Sequence, residues 1–312
     1  MPCLDYRAFV NACRDERGVG HHTLRAYAQD LRTFARFTEA HHLSDPLSKD
    51  DILAYHRHLR DELCAKPATI ERRLVTLKSY YAWREDRNSA LPSPFTDVRI
   101  SVRIPRRLPR PINRGTLKAV LQTDEGRIAL RAKTGADDAA PVSQNAVTIL
   151  IIKLLIVTGL RISELTNLKI GDVSHDACQI LVNGKGGKER IVFVPNRELQ
   201  EELRHFLEAR YAQGGSSAPL FLNTEGRRLR SATFRKRLRA LSRRLGIEPH
   251  LTPHRFRHSA ATLLIEEGID IRMIQALLGH ASLRTTEIYV RVSNHALRRA
   301  LEHADVLGVL RN

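Results

Sequence analysis

The sequence has few cysteines: its 312 residues contain four, Cys3, Cys13, Cys64 and Cys178, scattered along the chain. They form no C-x-x-C pair and have no histidine at metal-ligand spacing, which argues against a disulfide framework and a structural zinc site. No acidic cluster of the kind that holds Mg²⁺ is evident, which argues against a metal-dependent nuclease or polymerase. These absences predict chemistry without a metal ion or another cofactor.

Long hydrophobic runs are also missing. The longest one, over residues 149–159, is interrupted by Lys153 and is too short to span a bilayer. Residues 1–18 carry charges where a signal peptide needs an apolar core. We therefore expect a cytoplasmic protein with no membrane partner.

Acidic residues are outnumbered, with 34 Asp and Glu against 51 Lys and Arg and a net charge of +17. A positive field of this size concentrates phosphates, so a nucleic acid is a better expected partner than a membrane surface. The hydrophobic content of 42% and the charged content of 27% are typical of a globular protein. The length allows two domains.

Charge divides the chain into three parts, with a balance of +2 over residues 1–95, +5 over residues 96–115 and +10 over residues 116–312. The middle part mixes prolines with arginines and predicts an extended linker between a helical domain and a second domain. The linker either lies along a phosphate backbone, with Arg106 and Arg107 as contacts, or is a solvated hinge.

Apolar residues recur at helical spacing throughout residues 1–95. One stripe belongs to a helix that Thr23 is predicted to open, and another follows an S-x-x-D capping box formed by Ser48 and Asp51. They predict a bundle of about four helices in which the periodic aromatic residues form the core rather than stack on bases. Arg72 and Arg73 are expected on the outer side of a third stripe, as candidate DNA contacts. The first and third stripes are Leu24, Tyr27, Leu31, Phe34 and Phe37, and Ile70, Leu74, Leu77, Tyr80 and Tyr81.

Helix also dominates the second domain, with one exception. The β-prone runs 179–182 and 190–194 flank a glycine-rich segment, 183–188, which predicts a β-hairpin. Residues 122–146 are polar and rich in Gly and Ala, which predicts a surface excursion. The expected fold class is mainly α: an N-terminal helical bundle followed by a mixed α/β domain that is mostly helical with a small hairpin.

The densest basic stretch, residues 227–244, has nine basic residues and no acidic residue. Phe234, Leu238 and Leu241 would form the apolar face of a helix there, which leaves arginines on the other faces for phosphates. The alternative is a solvated face, but the lack of compensating acids favours DNA contacts. The candidates are Arg228, Arg230, Arg235, Arg237 and Arg239.

Two further segments carry candidates for chemistry. Residues 158–165 place Arg161 and Glu164 three positions apart, which taken alone is also typical of a structural ion pair. Residues 251–258 begin a helix with a Thr-Pro cap and bring His254 and Arg257 to one face. Together with a hairpin lysine and a tyrosine, these groups suit phosphoryl transfer.

The motifs in order resemble those of the tyrosine recombinase (phage integrase) family, and in size and organisation the Xer-type members. They are T-G-L-R-x-S-E-L at 158–165, G-K-G-x-K at 184–188, H-x-x-R-H at 254–258, L-G-H at 278–280, and Tyr289 nine residues later. The resemblance covers most of the chain. It implies a core-binding domain of SAM-like fold, a catalytic domain, and an enzyme that transfers DNA strands.

The resemblance also implies residue roles. Tyr289 would attack the scissile phosphate, and Arg161 and Arg257 would clamp its oxygens. Lys185 would protonate the leaving 5′-oxygen. The three other implied roles are proton transfer from or to the tyrosine by His254, a hydrogen bond to the phosphate from His280, and support of the site by Glu164.

The implied partner is double-stranded DNA that carries a specific recombination site, bound by a homo- or hetero-tetramer on two duplexes. Residues 294–310 resemble the segment that family members pack into a neighbouring protomer. The alternative is that these residues form a helix that closes their own domain. The polar segment 122–146 departs from a compact Xer-like chain, so mobile-element integration or excision and replicon resolution both stay open. The alternatives are a type IB topoisomerase-like enzyme that nicks and reseals DNA, and a non-catalytic DNA-binding regulator.

Overall fold

The computed structural model describes residues 5–88, 92–96, 98, 100–103, 111–123, 143–184 and 189–278. The chain divides into two compact units, Met1–Arg106 and Arg107–Asn312. The division falls inside the arginine-rich segment, whose bounds at 96 and 115 stay predictions. No helix among the described residues is long and apolar enough to cross a membrane.

The N-terminal unit is a bundle of α-helices around an aromatic core, as predicted. Phe9, Phe34, Tyr55 and Tyr80 are at most 1% exposed, and the rings of Phe34 and Tyr55 meet edge to face with centroids 4.7 Å apart. The periodic aromatic residues are therefore core residues. The helices are α1 (Tyr6–Asp15), α2 (His21–Ala40), α3 (Lys49–Arg57), which continues into a π-helical turn (His58–Glu62), and α4 (Pro67–Arg87).

Local capping explains two helix starts. The backbone N–H of Asp51 donates to Ser48 Oγ over 3.2 Å and Ser48 N–H donates to Asp51 Oδ2 over 2.8 Å, which confirms the predicted capping box of α3. The predicted start of α2 at Thr23 is wrong. Thr23 N–H already donates to the carbonyl of Gly20 over 2.9 Å, so the helix begins at His21 with Gly20 as its cap.

The C-terminal unit is built around one buried helix. Helix α6 (Gln144–Thr158) contains the apolar run, and its single lysine, Lys153, is accommodated by an ion pair of 2.5 Å with Glu202. A helix that is apolar on every side belongs in a core, and α10 packs against it. The other helices are α5 (Arg114–Leu121), α7 (Ile162–Asn167), α8 (Arg197–Tyr211), α9 (Ser231–Arg244), α10 (Pro253–Glu266) and α11 (Ile271–Leu278).

The predicted hairpin is present. Strand β1 (Gln179–Asn183) pairs antiparallel with β2 (Glu189–Phe193), with Asn183 opposite Glu189 and Gln179 opposite Phe193. The predicted surface excursion extends to residue 146, but helix α6 already begins at Gln144, where the side chain of Ser143 caps it. The C-terminal bound of the excursion is therefore wrong. Residues 124–142 lie outside the described part of the chain. The mainly α class with one small sheet is confirmed.

Candidate active site

The site begins where α6 ends. Gly159 closes α6 in the left-handed conformation, with φ of +61°, and Arg161 then caps α7. Glu164 Oε2 accepts from the backbone N–H of Arg161 over 2.9 Å, and Glu164 Oε1 accepts from Arg161 Nη1 over 2.8 Å. The predicted pairing of Arg161 and Glu164 is therefore present, with Arg161 as the cap of α7, and it holds the arginine at both its backbone and its side chain.

Glu164 has a second arginine, which the sequence reasoning missed. Arg190 of β2 donates from Nη1 to Oε1 over 3.2 Å and from Nη2 to Oε2 over 3.0 Å. Burial alone would raise the pKa of Glu164, but the hydrogen bonds from Arg190 and Arg161 lower it below its ordinary value. The buried carboxylate therefore stays charged. The one available signal was the polar residue among the apolar residues of the predicted strand.

Arg257 connects two backbone segments. It lies in the first turns of α10, whose cap Thr252 accepts from Arg255 N–H over 3.3 Å, and it is 5% exposed. Its Nη1 donates to the carbonyl of Gly159 over 2.6 Å and its Nη2 to the carbonyl of Leu278 over 2.5 Å. Arg257 therefore ties the end of α6, just before Arg161, to the end of α11, just before His280.

Two histidines share this electrostatic environment. The pKa of His254 is lowered by partial desolvation and by the nearby charges of Arg235, Arg257 and Arg161. The pKa of His258 is lowered by burial, then by His254 and Arg257. Both imidazoles are therefore mainly neutral near pH 7. A group of arginines that perturbs a histidine in this way can bind an anion and exchange a proton with it.

Other predicted catalytic residues fall outside the described residues. These are Lys185, His280 and Tyr289, together with the exchange segment 294–310. Asn183 and Glu189, which flank the segment of Lys185, are paired across the hairpin. Leu278, two positions before His280, is bound by Arg257. Arg106 and Arg107 also lie outside the described residues.

The basic stretch behaves as predicted on its apolar side. Phe234, Leu238 and Leu241 are buried in α9, and Arg235 and Arg239 are exposed. Arg237 differs. It is half-buried, burial lowers its pKa, and its Nη1 has no hydrogen-bond partner among the described residues. Arg228 and Arg230 are exposed but precede α9, because the helix begins at Ser231.

Arg72 and Arg73 are held by one carboxylate. Arg72 Nη1 donates to Asp30 Oδ2, and Arg73 Nε lies 3.8 Å from Asp30 Oδ1. The Arg73 side chain is 15% exposed and the Arg72 side chain 44%. Of the two, only Arg72 lies on the outer side of the stripe as expected. Arg73 points inward because Asp30 is buried beside it.

Comparison with known proteins relates this fold to DNA recombinases. The structure of the XerH site-specific recombinase bound to palindromic difH substrate in a post-cleavage complex has a TM-score of 0.71 at 24% identity, covering 95% of this chain and 84% of that one. This likeness shows the fold. Tyrosine recombinase XerC of Herpetosiphon aurantiacus is 34% identical over 89% of this chain and 87% of its own. Tyrosine recombinase XerD of Oceanobacillus iheyensis is 31% identical over 93% and 94%.

The family models match both units. The model of the phage integrase family matches residues 120–296, and that of the phage integrase N-terminal SAM-like domain matches residues 7–88. The chain belongs to the phage integrase family, which confirms the resemblance of its motifs. It is a tyrosine recombinase, an enzyme that transfers DNA strands in site-specific recombination.

Proposed function

We propose that this recombinase cuts and rejoins DNA at a specific site through a 3′-phosphotyrosyl intermediate and a Holliday junction, without metal or ATP. One observation supports the proposal most: Arg257 of α10 bonds the ends of α6 and α11, and the charges of Arg257 and Arg161 both act on His254. Because one phosphoester is exchanged for another, the energy of the broken bond is kept in the protein–DNA linkage.

The proposed first step is attack by the hydroxyl oxygen of Tyr289 on the scissile phosphorus. The bond to the 5′-oxygen breaks, and the tyrosine becomes esterified to the 3′-phosphate. His254 takes the tyrosine proton, a role that its lowered pKa supports because the ring is neutral near pH 7. Lys185 gives a proton to the leaving 5′-oxygen.

Arg161 and Arg257 stabilise the charge that grows on the non-bridging oxygens, and His280 donates a hydrogen bond to the same phosphate. Donors fixed before the reaction cost little reorganisation during it, and both arginines are held by protein oxygens. Loss of one such donor lowers the rate by about 100-fold or more, roughly 3 kcal/mol of barrier. Glu164 supports Arg161.

In the second step, the 5′-hydroxyl of another duplex attacks the phosphotyrosine and rejoins the strands. Exchange between two duplexes requires four protomers, in a homo- or hetero-tetramer, with residues 294–310 as the segment packed into a neighbour. The exposed arginines 228, 230, 235 and 239 of the basic stretch and Arg72 of the N-terminal unit are proposed phosphate contacts, with Arg106 and Arg107 of the linker. The biological role is either integration and excision of a mobile element or replicon resolution, in the cytoplasm at the nucleoid.

The test is a covalent trap. A nicked duplex that carries the recombination site loses its short 5′-hydroxyl strand after cleavage, so the protein–DNA adduct accumulates and survives SDS. We expect the adduct with the wild type and none with Tyr289→Phe, while both bind the duplex with similar affinity. EDTA should leave the rate unchanged.

The same experiment separates the alternatives. A non-catalytic regulator would give no adduct with either protein. A topoisomerase-like enzyme would form the adduct and relax a single supercoiled plasmid, but would never give a product that joins two duplexes. Loss of cleavage in EDTA would contradict the metal-free mechanism.

A further inference from the structure

The buried carboxylate of Glu164 is shared between two arginines, although the proposed chemistry uses one of them. Its Oε1 accepts from Arg161 Nη1 and Arg190 Nη1, and its Oε2 accepts from the Arg161 backbone N–H and Arg190 Nη2. The Glu164 side chain is 6% exposed. Each oxygen of Glu164 accepts one hydrogen bond from Arg161 and one from Arg190. A movement of one arginine therefore shifts the carboxylate and changes its hydrogen bonds to the other arginine.

Arg190 is placed to act inside the protein rather than on DNA. Its side chain is 18% exposed, against 36% for Arg161. Both of its Nη atoms point at Glu164, and its Nε is buried with no hydrogen-bond partner among the described residues. In the sheet, Arg190 is paired with Val182, so its backbone position is set by β1.

We propose that Arg190 is a positioning residue for strand cleavage: it fixes the carboxylate of Glu164, which in turn holds Arg161 in the orientation that clamps the scissile phosphate. This inference rests on the proposed function. With Arg190 in place, the carboxylate is divided between two cations, so its attraction for the guanidinium of Arg161 is weaker. Without Arg190, the full negative charge of Glu164 is left to Arg161, which is drawn toward it and away from the phosphate.

A second route has to be distinguished, because Arg190 belongs to β2, the strand that follows the segment of Lys185 in the sequence. The two routes predict different chemical rescue. A substrate with a methylphosphonate at the scissile position has lost the charge of one non-bridging oxygen, so it depends less on the arginine clamp. A substrate with a bridging sulfur at the 5′ position has a better leaving group, so it depends less on the proton from Lys185.

The experiment measures single-turnover formation of the covalent adduct by Arg190→Gln, Arg190→Lys and wild type on the ordinary, methylphosphonate and 5′-thio substrates. We expect Arg190→Gln to cleave the ordinary substrate about 10- to 100-fold more slowly, with DNA affinity changed less than about threefold. Arg190→Lys, which keeps the charge but has one donor nitrogen in place of the two that contact Glu164, should recover part of the rate. The matched control is Arg204→Gln, which removes an exposed arginine paired with Glu208 on α8 and should cleave like wild type.

The substrates decide the outcome. The defect of Arg190→Gln should shrink to less than about threefold on the methylphosphonate and persist on the 5′-thio substrate. Equal defects on all three substrates, a defect that disappears only on the 5′-thio substrate, or no defect at all would overturn the inference. Should Arg190→Gln fail to fold, the same comparison is made with Arg190→Lys. Failure of the proposed function looks different, because the wild type itself would then form no adduct on any substrate.

Discussion

Each unit has, among its described residues, a buried carboxylate that faces two arginines, and the two arrangements differ. Asp30 of the N-terminal unit is 1% exposed and faces Arg72 and Arg73, neighbours on α4. Adjacent residues on a helix point about 100° apart, so the two arginines cannot bind it equally. Oδ2 accepts from Arg72 and from Thr76 over 3.0 Å, whereas Oδ1 has no hydrogen-bond partner among the described residues.

The two arginines that contact Glu164 in the C-terminal unit come from different elements, the start of α7 and strand β2. Each carboxylate oxygen of Glu164 accepts two hydrogen bonds. Asp30 therefore joins α2 to α4 through Oδ2, while Oδ1 accepts no hydrogen bond among the described residues, and we interpret this contact as one that stabilises the helical bundle. Glu164 instead fixes an arginine whose side chain is 36% exposed, and in our proposal this arginine acts on the DNA phosphate. The comparison predicts that loss of Asp30 affects folding and loss of Glu164 affects catalysis.

The largest effect is expected for Glu164→Gln. The substitution keeps the size of the side chain but removes the charge that holds Arg161, so the single-turnover rate of adduct formation should fall by about 100-fold, roughly 3 kcal/mol. DNA affinity should change little. The control is Glu202→Gln, which removes a buried carboxylate paired with Lys153 elsewhere in the same unit and should leave the cleavage rate near wild type. Equal loss of rate in both variants would contradict a specific role.

Asp30→Asn should act on stability instead. The substitution leaves the half-buried guanidinium of Arg73 without a negative partner, which should lower the free energy of unfolding by about 2 kcal/mol. The loss is smaller than for a fully buried ion pair because Arg72 is partly exposed. Urea unfolding of the full chain can be followed by the fluorescence of Trp83, the single tryptophan, which is buried in the N-terminal unit. Asp61→Asn, which breaks the exposed pair with Arg60, should give no measurable change. If Asp30→Asn cleaved saturating DNA more slowly than wild type, the predicted difference between Asp30, which affects folding, and Glu164, which affects catalysis, would be contradicted.

Arg257 is held by backbone carbonyls, whereas Arg161 is held by the carboxylate of Glu164. Gly159→Ala tests whether cleavage depends on the backbone conformation at one of these carbonyls. Position 159 has φ of +61°, and an added Cβ would collide with Leu278 Cδ2, so a loss of about 1–2 kcal/mol in stability and a slower cleavage rate are expected. Gly226→Ala has a similar φ of +69° but meets no atom within 4 Å. It separates backbone strain from the collision. Wild-type cleavage by Gly159→Ala would show that cleavage tolerates strain at the end of α6, where Arg257 is bound.

The smallest effect is a pH dependence of DNA binding. His254 and His258 have lowered pKa values, so they are mainly neutral in the free protein near pH 7. A bound phosphate favours the charged imidazole and raises both values. Binding should therefore take up protons, and the affinity should rise about 3- to 10-fold from pH 7.5 to pH 6.0.

Fluorescence anisotropy of a labelled duplex at constant ionic strength measures this dependence. The double variant His254→Gln, His258→Gln should have a flatter profile, and His205→Gln, which removes a histidine paired with Glu208 on α8, should keep the wild-type slope. An affinity that is constant or falls as the pH is lowered would show that the phosphate does not reach these rings.

Local patterns were readable from the sequence, and contacts between distant residues were not. The pair of Arg161 and Glu164 follows from helical spacing over three positions, and the capping box of α3 has the same span. Arg190 meets Glu164 across 26 positions, and Arg257 meets Gly159 across 98. No periodicity encodes such contacts, because they depend on how the hairpin and α10 pack against α6.

Arginines were the residues most often misjudged. Arg73 and Arg237 were both expected to face outward because arginine is charged, yet each is half-buried. Asp30, buried on another helix, draws Arg73 inward. A long aliphatic stem lets a side chain such as Arg237 pack against apolar neighbours on α9 and α6. Sequence position alone does not distinguish an arginine that meets DNA from one that meets a buried carboxylate.

The central claim is that the cluster of Arg161, His254 and Arg257 serves a tyrosine nucleophile at position 289. The most direct measurement is mass spectrometry of the peptide that carries covalently bound nucleotide after cleavage of a nicked duplex. The account predicts a 3′-phosphate esterified to Tyr289 in the wild type and far less of the same peptide in Glu164→Gln. A nucleotide attached to another of the seven tyrosines, or to no residue, would contradict it.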